Sequence, residues 1–146
     1  MDEQTAITTV GHAIQFSVAP VFLLSAIGAM LAVLTGRLAR IVERARVCEV
    51  RLGTVTPEEI GGVHGELNVL ARRARLVNRA ITFCTITALL VCGVVATLFL
   101  GVFFRFPVAL PVAGLFVTAM SMFIAGLLYF LREIFIATAN LPFAQR

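Results

Sequence analysis

The chain contains no lysine. Its 12 basic residues are all arginine, set against 8 Asp and Glu. Charge of either sign is scarce, at 14% of residues, while 60% are apolar. Soluble domains usually carry about 25% charged and about 45–50% apolar residues, so a wholly water-exposed surface is excluded. Mean hydropathy is +0.98. Three long stretches hold no formal charge at all: Gln4 to Gly36, Ala80 to Phe104, and Phe106 to Leu131. Roughly 18 such residues suffice to cross a hydrocarbon layer about 30 Å thick. These runs predict an all-α integral membrane domain covering residues 1–146, with spans near 13–35, 80–104 and 108–131.

Other absences narrow the function. No carboxylate lies within the predicted spans, whereas proton- or sodium-coupled carriers place ionisable groups in the membrane core. There is no Gly-rich phosphate loop, no His/Glu/Asp cluster and no assembled Ser/His/Asp set. The chain is therefore not expected to be an enzyme, and no catalytic residue, cofactor or metal is assigned. His12 and His64 are expected on opposite sides of the membrane, His12 as an interfacial or packing residue. Cys48, Cys84 and Cys92 lack C-x-x-C spacing and read as small packing residues. No aromatic interleaving accompanies the arginines, which argues against nucleic acid. The N-terminus, MDEQ, is acidic where a cleavable signal would be basic, so the first span is expected to stay in the mature protein.

What is present is a basic phrase printed twice: RLARIVERA from Arg37 and RRARLVNRA from Arg72, both R-x-A-R-[I/L]-V-x-R-A. At 100° per residue, Arg37, Arg40, Arg44 and Arg51 fall within an arc of about 60°. Leu38, Ile41, Ala45, Cys48 and Leu52 lie beside it. This is an amphipathic helix continuing the first span, and Pro20, in SVAPVFLL, is expected to kink that span. A turn is predicted at Gly53. Thr56-Pro57-Glu58-Glu59 has the form of a capping box with proline at the first helical position. A second helix is expected from there through Arg72, Arg75 and Arg79 into the second span, weakened early by Gly61, Gly62 and Gly65. RFPVALP, from Arg105, reads as a short connection. The third span is expected to leave the membrane through Tyr129, Arg132 and Glu133, before the tail ANLPFAQR.

Residues 37–79 carry nine arginines and five glutamates, whereas the N-terminal tail has Asp2 and Glu3 and the second connection only Arg105. Arginine excess beside span ends marks the cytoplasmic side. The expected topology is an outer N-terminus, a cytoplasmic helical hairpin over about 37–79 and a cytoplasmic C-terminus. Within the hairpin the two phrases would face each other across a local two-fold axis, Arg37 and Arg79 nearest the bilayer, Arg44 and Arg72 farther out.

Three blocks, APVFLLSAIGAMLAVLTGRLARIVERAR from Ala19, RRARLVNRAI from Arg72 and the late FLREIFIAT, resemble the bacterial integral membrane family catalogued as domain of unknown function 2721. The resemblance covers most of the chain. It implies a small bacterial inner-membrane protein with about three spans and brings no established activity with it.

Function is then read from the residues. Small residues recur as Gly28, Ala32 and Gly36 on the first helix, as Thr85, Cys92 and Ala96 on the second, and as Gly114, Thr118, Ser121 and Ala125 on the third. Such faces permit close helix packing within or between subunits, and a homo-oligomer is expected. The sharper expectation is a homo-oligomeric channel or pore for small ions. Its candidate pore-lining or packing residues are Ser17, Pro20, Ser25, Gly28, Ala32 and Thr35. The alternative is a structural or regulatory membrane protein whose hairpin binds a partner or anionic lipid through a basic ridge of Arg37, Arg40, Arg44, Arg72, Arg75 and Arg79.

Overall fold

The computed structural model describes residues 3–104 and 107–139. Expectations placed on Asp2, Arg105, the side chain of His12 and the tail 140–146 lie outside the described residues. The fold is all-helical, with α1 Glu3–Leu52, α2 Ile60–Phe104 and α3 Ala109–Ala139. Each is long and apolar enough to cross a membrane. At about 1.5 Å per residue, the 50 residues of α1 reach about 75 Å, more than twice a hydrocarbon layer of about 30 Å. Chain length alone therefore carries α1 well beyond any span. It runs unbroken through Pro20, the position where the sequence predicts a kink.

The α1–α2 turn shows why helix breaking is local here. Gly53 N–H donates to Val50 O (3.2 Å), and Thr54 and Val55 N–H both donate to Arg51 O (3.0 and 3.2 Å). The Thr54 hydroxyl donates to the same oxygen at 3.0 Å. Carbonyls orphaned at the end of α1 are thus satisfied by the chain that leaves it. The capping box predicts a helix start at Thr56-Pro57, but α2 begins at Ile60. Glu59 N–H donates to Thr56 O at 3.0 Å, which closes a separate tight turn. The first helical acceptor is Glu59 O, bonded by Gly62 and Val63 N–H.

The described residues divide into two compact units, 3–30 with 83–104 and 107–124, and 31–82 with 125–139. In the first, Ser17, Pro20 and Ile27 of α1, Cys84, Thr87, Val91 and Val94 of α2, and Ala119 of α3 are buried. In the second, the buried set is Leu34, Ile41 and Cys48 of α1, Val63, Leu70, Leu76, Val77 and Ala80 of α2, and Gly126 and Glu133 of α3. Most of these numbers step by seven. Positions 20, 27, 34, 41 and 48 run along α1; 63, 70, 77, 84 and 91 along α2; and 119, 126 and 133 along α3. A strict seven-residue step is the seam of coiled-coil packing, in which apolar knobs keep facing a neighbouring helix.

Hydroxyls exposed on these helices satisfy their own donors. Ser25 donates to Val21 O (3.4 Å), Thr35 to Leu31 O (2.9 Å), Thr118 to Gly114 O (2.8 Å) and Ser121 to Val117 O (2.9 Å). A back-bonded hydroxyl presents only its acceptor to the surroundings and can face lipid at little cost.

Candidate functional site

Three residues after each seam position lies the companion position of the heptad. On α1 these include Arg37 and Arg44, following Leu34 and Ile41. On α2 they include Glu66 and Arg73, following Val63 and Leu70. The two helices of the second unit therefore place charged residues inside their own packing stripe. On α3 the charge lies on the seam itself, at Glu133, which is completely buried.

These charges find one another. Glu133 Oε2 accepts a hydrogen bond from Arg37 Nη1 at 2.9 Å. Glu133 Oε1 accepts two from Arg73, from Nε at 3.1 Å and Nη2 at 2.8 Å. Both carboxylate oxygens are thereby used, each by a different helix. The side chains of Arg37 and Arg73 keep 37% and 24% of their exposure while Glu133 keeps 0%. A lone buried carboxylate is costly to desolvate. One held by two charge-assisted partners, with both oxygens bonded, is the arrangement that offsets the cost. Aromatic rings complete the shell, with the Arg37 guanidinium 5.1 Å from the Phe130 ring centroid and that of Arg79 5.8 Å from Tyr129. Such contacts contribute about 0.5–1 kcal/mol each at exposed sites.

A second pair lies farther along the hairpin, Arg44 Nε with Glu66 Oε1 at 3.1 Å, both partly exposed. Arg37 and Arg44 are seven residues apart on α1, as are Glu66 and Arg73 on α2. That sets an antiparallel register with residue 37 level with 73 and 44 level with 66. The expected two-fold pairing of the basic phrases is corrected by it. Arg79 lies six residues beyond Arg73, so the phrases are staggered along the hairpin. Apolar seams, the Arg44–Glu66 pair and the shared hold of Arg37 and Arg73 on Glu133 set the register, and the arginine pattern does not.

The individual candidates separate accordingly. Of the basic ridge, Arg37 is half-buried on Glu133, Arg44 pairs with Glu66, and Arg40, Arg72, Arg75 and Arg79 are exposed. Of the α1 stripe, Ser17 and Pro20 are buried, whereas Ser25, Gly28, Ala32 and Thr35 are exposed. Cys48 and Cys84 pack as expected, but Cys92 is exposed. Arg132 faces outward and Glu133 inward. Arg73 and Glu133, the residues that unite the cluster, are absent from the sequence-derived candidates. Two signals point to them: Glu133 is the last of the eight acidic residues and is isolated after an apolar run, and both residues fall on heptad positions. Among the described residues no group of three His, Cys, Asp or Glu could hold a metal ion.

Beside this cluster the hairpin carries an open concavity of about 500 Å³. Arg37, Arg40, Arg44 and Arg73 line it together with Ala32, Val33, Gly36, Ile41 and Leu70.

Three apolar helices with a charge cluster among them define a multi-pass membrane protein. More narrowly, the chain belongs to the family described as Protein of unknown function (DUF2721), whose model matches residues 17–143. No curated protein and no solved structure matches it.

Proposed function

We propose that this is a bacterial inner-membrane protein of structural or regulatory type, working as a homo-oligomer, whose basic hairpin stands on the cytoplasmic side and engages anionic lipid. The N-terminus lies outside and the C-terminus inside, as the arginine asymmetry requires. One observation carries the reading. Only Arg37, Arg44 and Arg73 of the nine hairpin arginines form ion pairs among the described residues. Arg40, Arg46, Arg51, Arg72, Arg75 and Arg79 remain exposed, each available to a headgroup at about 1 kcal/mol near a charged surface. In nanodiscs, lipid retention and thermal stability are expected to be higher with phosphatidylglycerol than with phosphatidylcholine alone. Arg40→Glu combined with Arg75→Glu should remove the difference. Equal behaviour of the wild type in both lipids would end this reading.

A second reading, the homo-oligomeric pore for small ions, is favoured by a different observation. The small and hydroxyl residues Ser25, Gly28, Thr85, Ala96, Gly114, Thr118 and Ser121 are all exposed, so a neighbouring copy or a water path could meet them. It requires ion flux from loaded liposomes that a thiol reagent blocks at Ser25→Cys, in a Cys92→Ala background because Cys92 is itself exposed. Silence across several salts would remove the pore and leave the first reading standing.

A further inference from the structure

We infer that the concavity lined by Arg37, Arg40, Arg44 and Arg73 is a seat for the phosphate of an anionic phospholipid of the leaflet beside the hairpin. The inference rests on the lipid-engaging reading and narrows it from a charged surface to one site.

The first support is charge. Four guanidiniums surround the concavity, and the carboxylates bonded to them are Glu66 and Glu133. Two positive charges are left over, a surplus suited to a phosphate group. The second is hydrogen-bond capacity. Four guanidiniums carry roughly twenty N–H donors, five each, and their bonds to Gly36 O, Glu66 and Glu133 use five. The remainder can meet a tetrahedral oxyanion, whose oxygens accept in several directions at once.

The third support is preorganisation. Glu133 and Glu66 grip Arg37, Arg73 and Arg44 from one side, so most of their side-chain ordering is complete before a ligand arrives. Arg40 makes only a long contact, Nε to Gly36 O at 3.5 Å, and is the arm free to close on a phosphate.

The last support selects a lipid over a soluble anion. The lining changes character at one point in the chain. Ala32, Val33 and Gly36 end the uncharged run from Gln4, and Arg37 is the first charge after it. A phospholipid has the same order of chemistry, an acyl chain followed by a phosphate, and Val33 is exposed to receive the former. A free phosphate would use the arginines and leave the apolar wall without a role.

Native mass spectrometry of the purified protein, with phosphatidylglycerol, phosphatidylcholine or inorganic phosphate added, tests this. The wild type should retain one tightly held phosphatidylglycerol per chain and no comparable phosphatidylcholine. Arg40→Gln should weaken that adduct roughly fivefold and Arg40→Gln with Arg44→Gln at least about tenfold. Arg72→Gln with Arg75→Gln, outside the concavity, should leave it unchanged. Arg40 is exposed and pairs with no carboxylate, so folding is not at stake in Arg40→Gln. Arg44 pairs with Glu66, so thermal unfolding of the double variant is measured beside its lipid adduct. Equal weakening by the two double variants would overturn the site while the general lipid reading survives. Absence of any anionic preference would overturn both. Equal retention of inorganic phosphate, or its displacement of the lipid at millimolar concentration, would overturn the choice of a lipid.

Discussion

Glu133→Ala should be the most damaging single truncation of a charge in the chain, destabilising the helical assembly by about 2–4 kcal/mol. Removing one partner of a buried ion pair usually costs about 3–5 kcal/mol, because the remaining charge is left without compensation. Here Arg37 and Arg73 keep part of their exposure and can rehydrate, which lowers the expectation. Glu133→Gln keeps one carbonyl acceptor and should lose less. The arginines are not equivalent. Arg73 forks Nε and Nη2 onto one oxygen, while Arg37 offers a single Nη1. Lysine cannot reproduce a fork, so Arg73→Lys should cost more than Arg37→Lys. Combining Glu133→Leu with Arg37→Met and Arg73→Met should recover much of the loss, since a matched apolar set needs no compensation. Denaturant titration in micelles measures each step. A Glu133→Ala protein within about 0.5 kcal/mol of wild type would show that the cluster contributes little to stability.

The same substitution, glycine to alanine, should act with opposite sign at two positions of α2. Gly101 is buried, and a Cβ there would lie 2.9 Å from Val108 Cγ2 and 3.1 Å from its Cβ, with Cγ1 closer still. A branched valine cannot swing aside, and Val108 O accepts the Val112 N–H at 3.0 Å at the start of α3. Gly101→Ala should therefore destabilise by about 1–3 kcal/mol, as overpacking does. Val108→Ala should relieve much of that. Gly62 is exposed, with open space where a Cβ would stand. Gly62→Ala should stabilise by about 0.5–1 kcal/mol through helix propensity alone. Thermal unfolding of the two variants beside the wild type decides it. Two shifts of the same sign would contradict the close approach at Gly101.

Class and element order could be read from the chain because they follow from runs and periods. Uncharged stretches of 25 residues or more mark membrane-crossing helices wherever they occur, since no partner is needed to make them apolar. The amphipathic arm after Gly36 was equally legible, and Ile41 and Cys48 are buried as its pattern predicts. The start of α2 was less so. Thr56-Pro57-Glu58-Glu59 satisfies a local rule for helix initiation, yet the chain closes a separate turn there before α2 begins at Ile60. Local propensity stated where a helix could start, and the turn out of α1 decided where it does.

The repeated arginine phrase shows the limit most sharply. By itself the sequence determined that residues 37–79 are basic and helical, because composition and period are properties of one chain segment. Only the tertiary structure decided which arginines act together. Arg37 of the first phrase and Arg73, a residue the repeat pattern leaves unspecified, share Glu133, 60 positions beyond Arg73. A buried carboxylate needs partners whatever their distance in sequence, and helix packing supplies them through a register set by seven-residue seams. Each phrase thus sends one arginine to α3, Arg37 from the first and Arg73 from the second, while Arg40, Arg72 and Arg75 stay exposed.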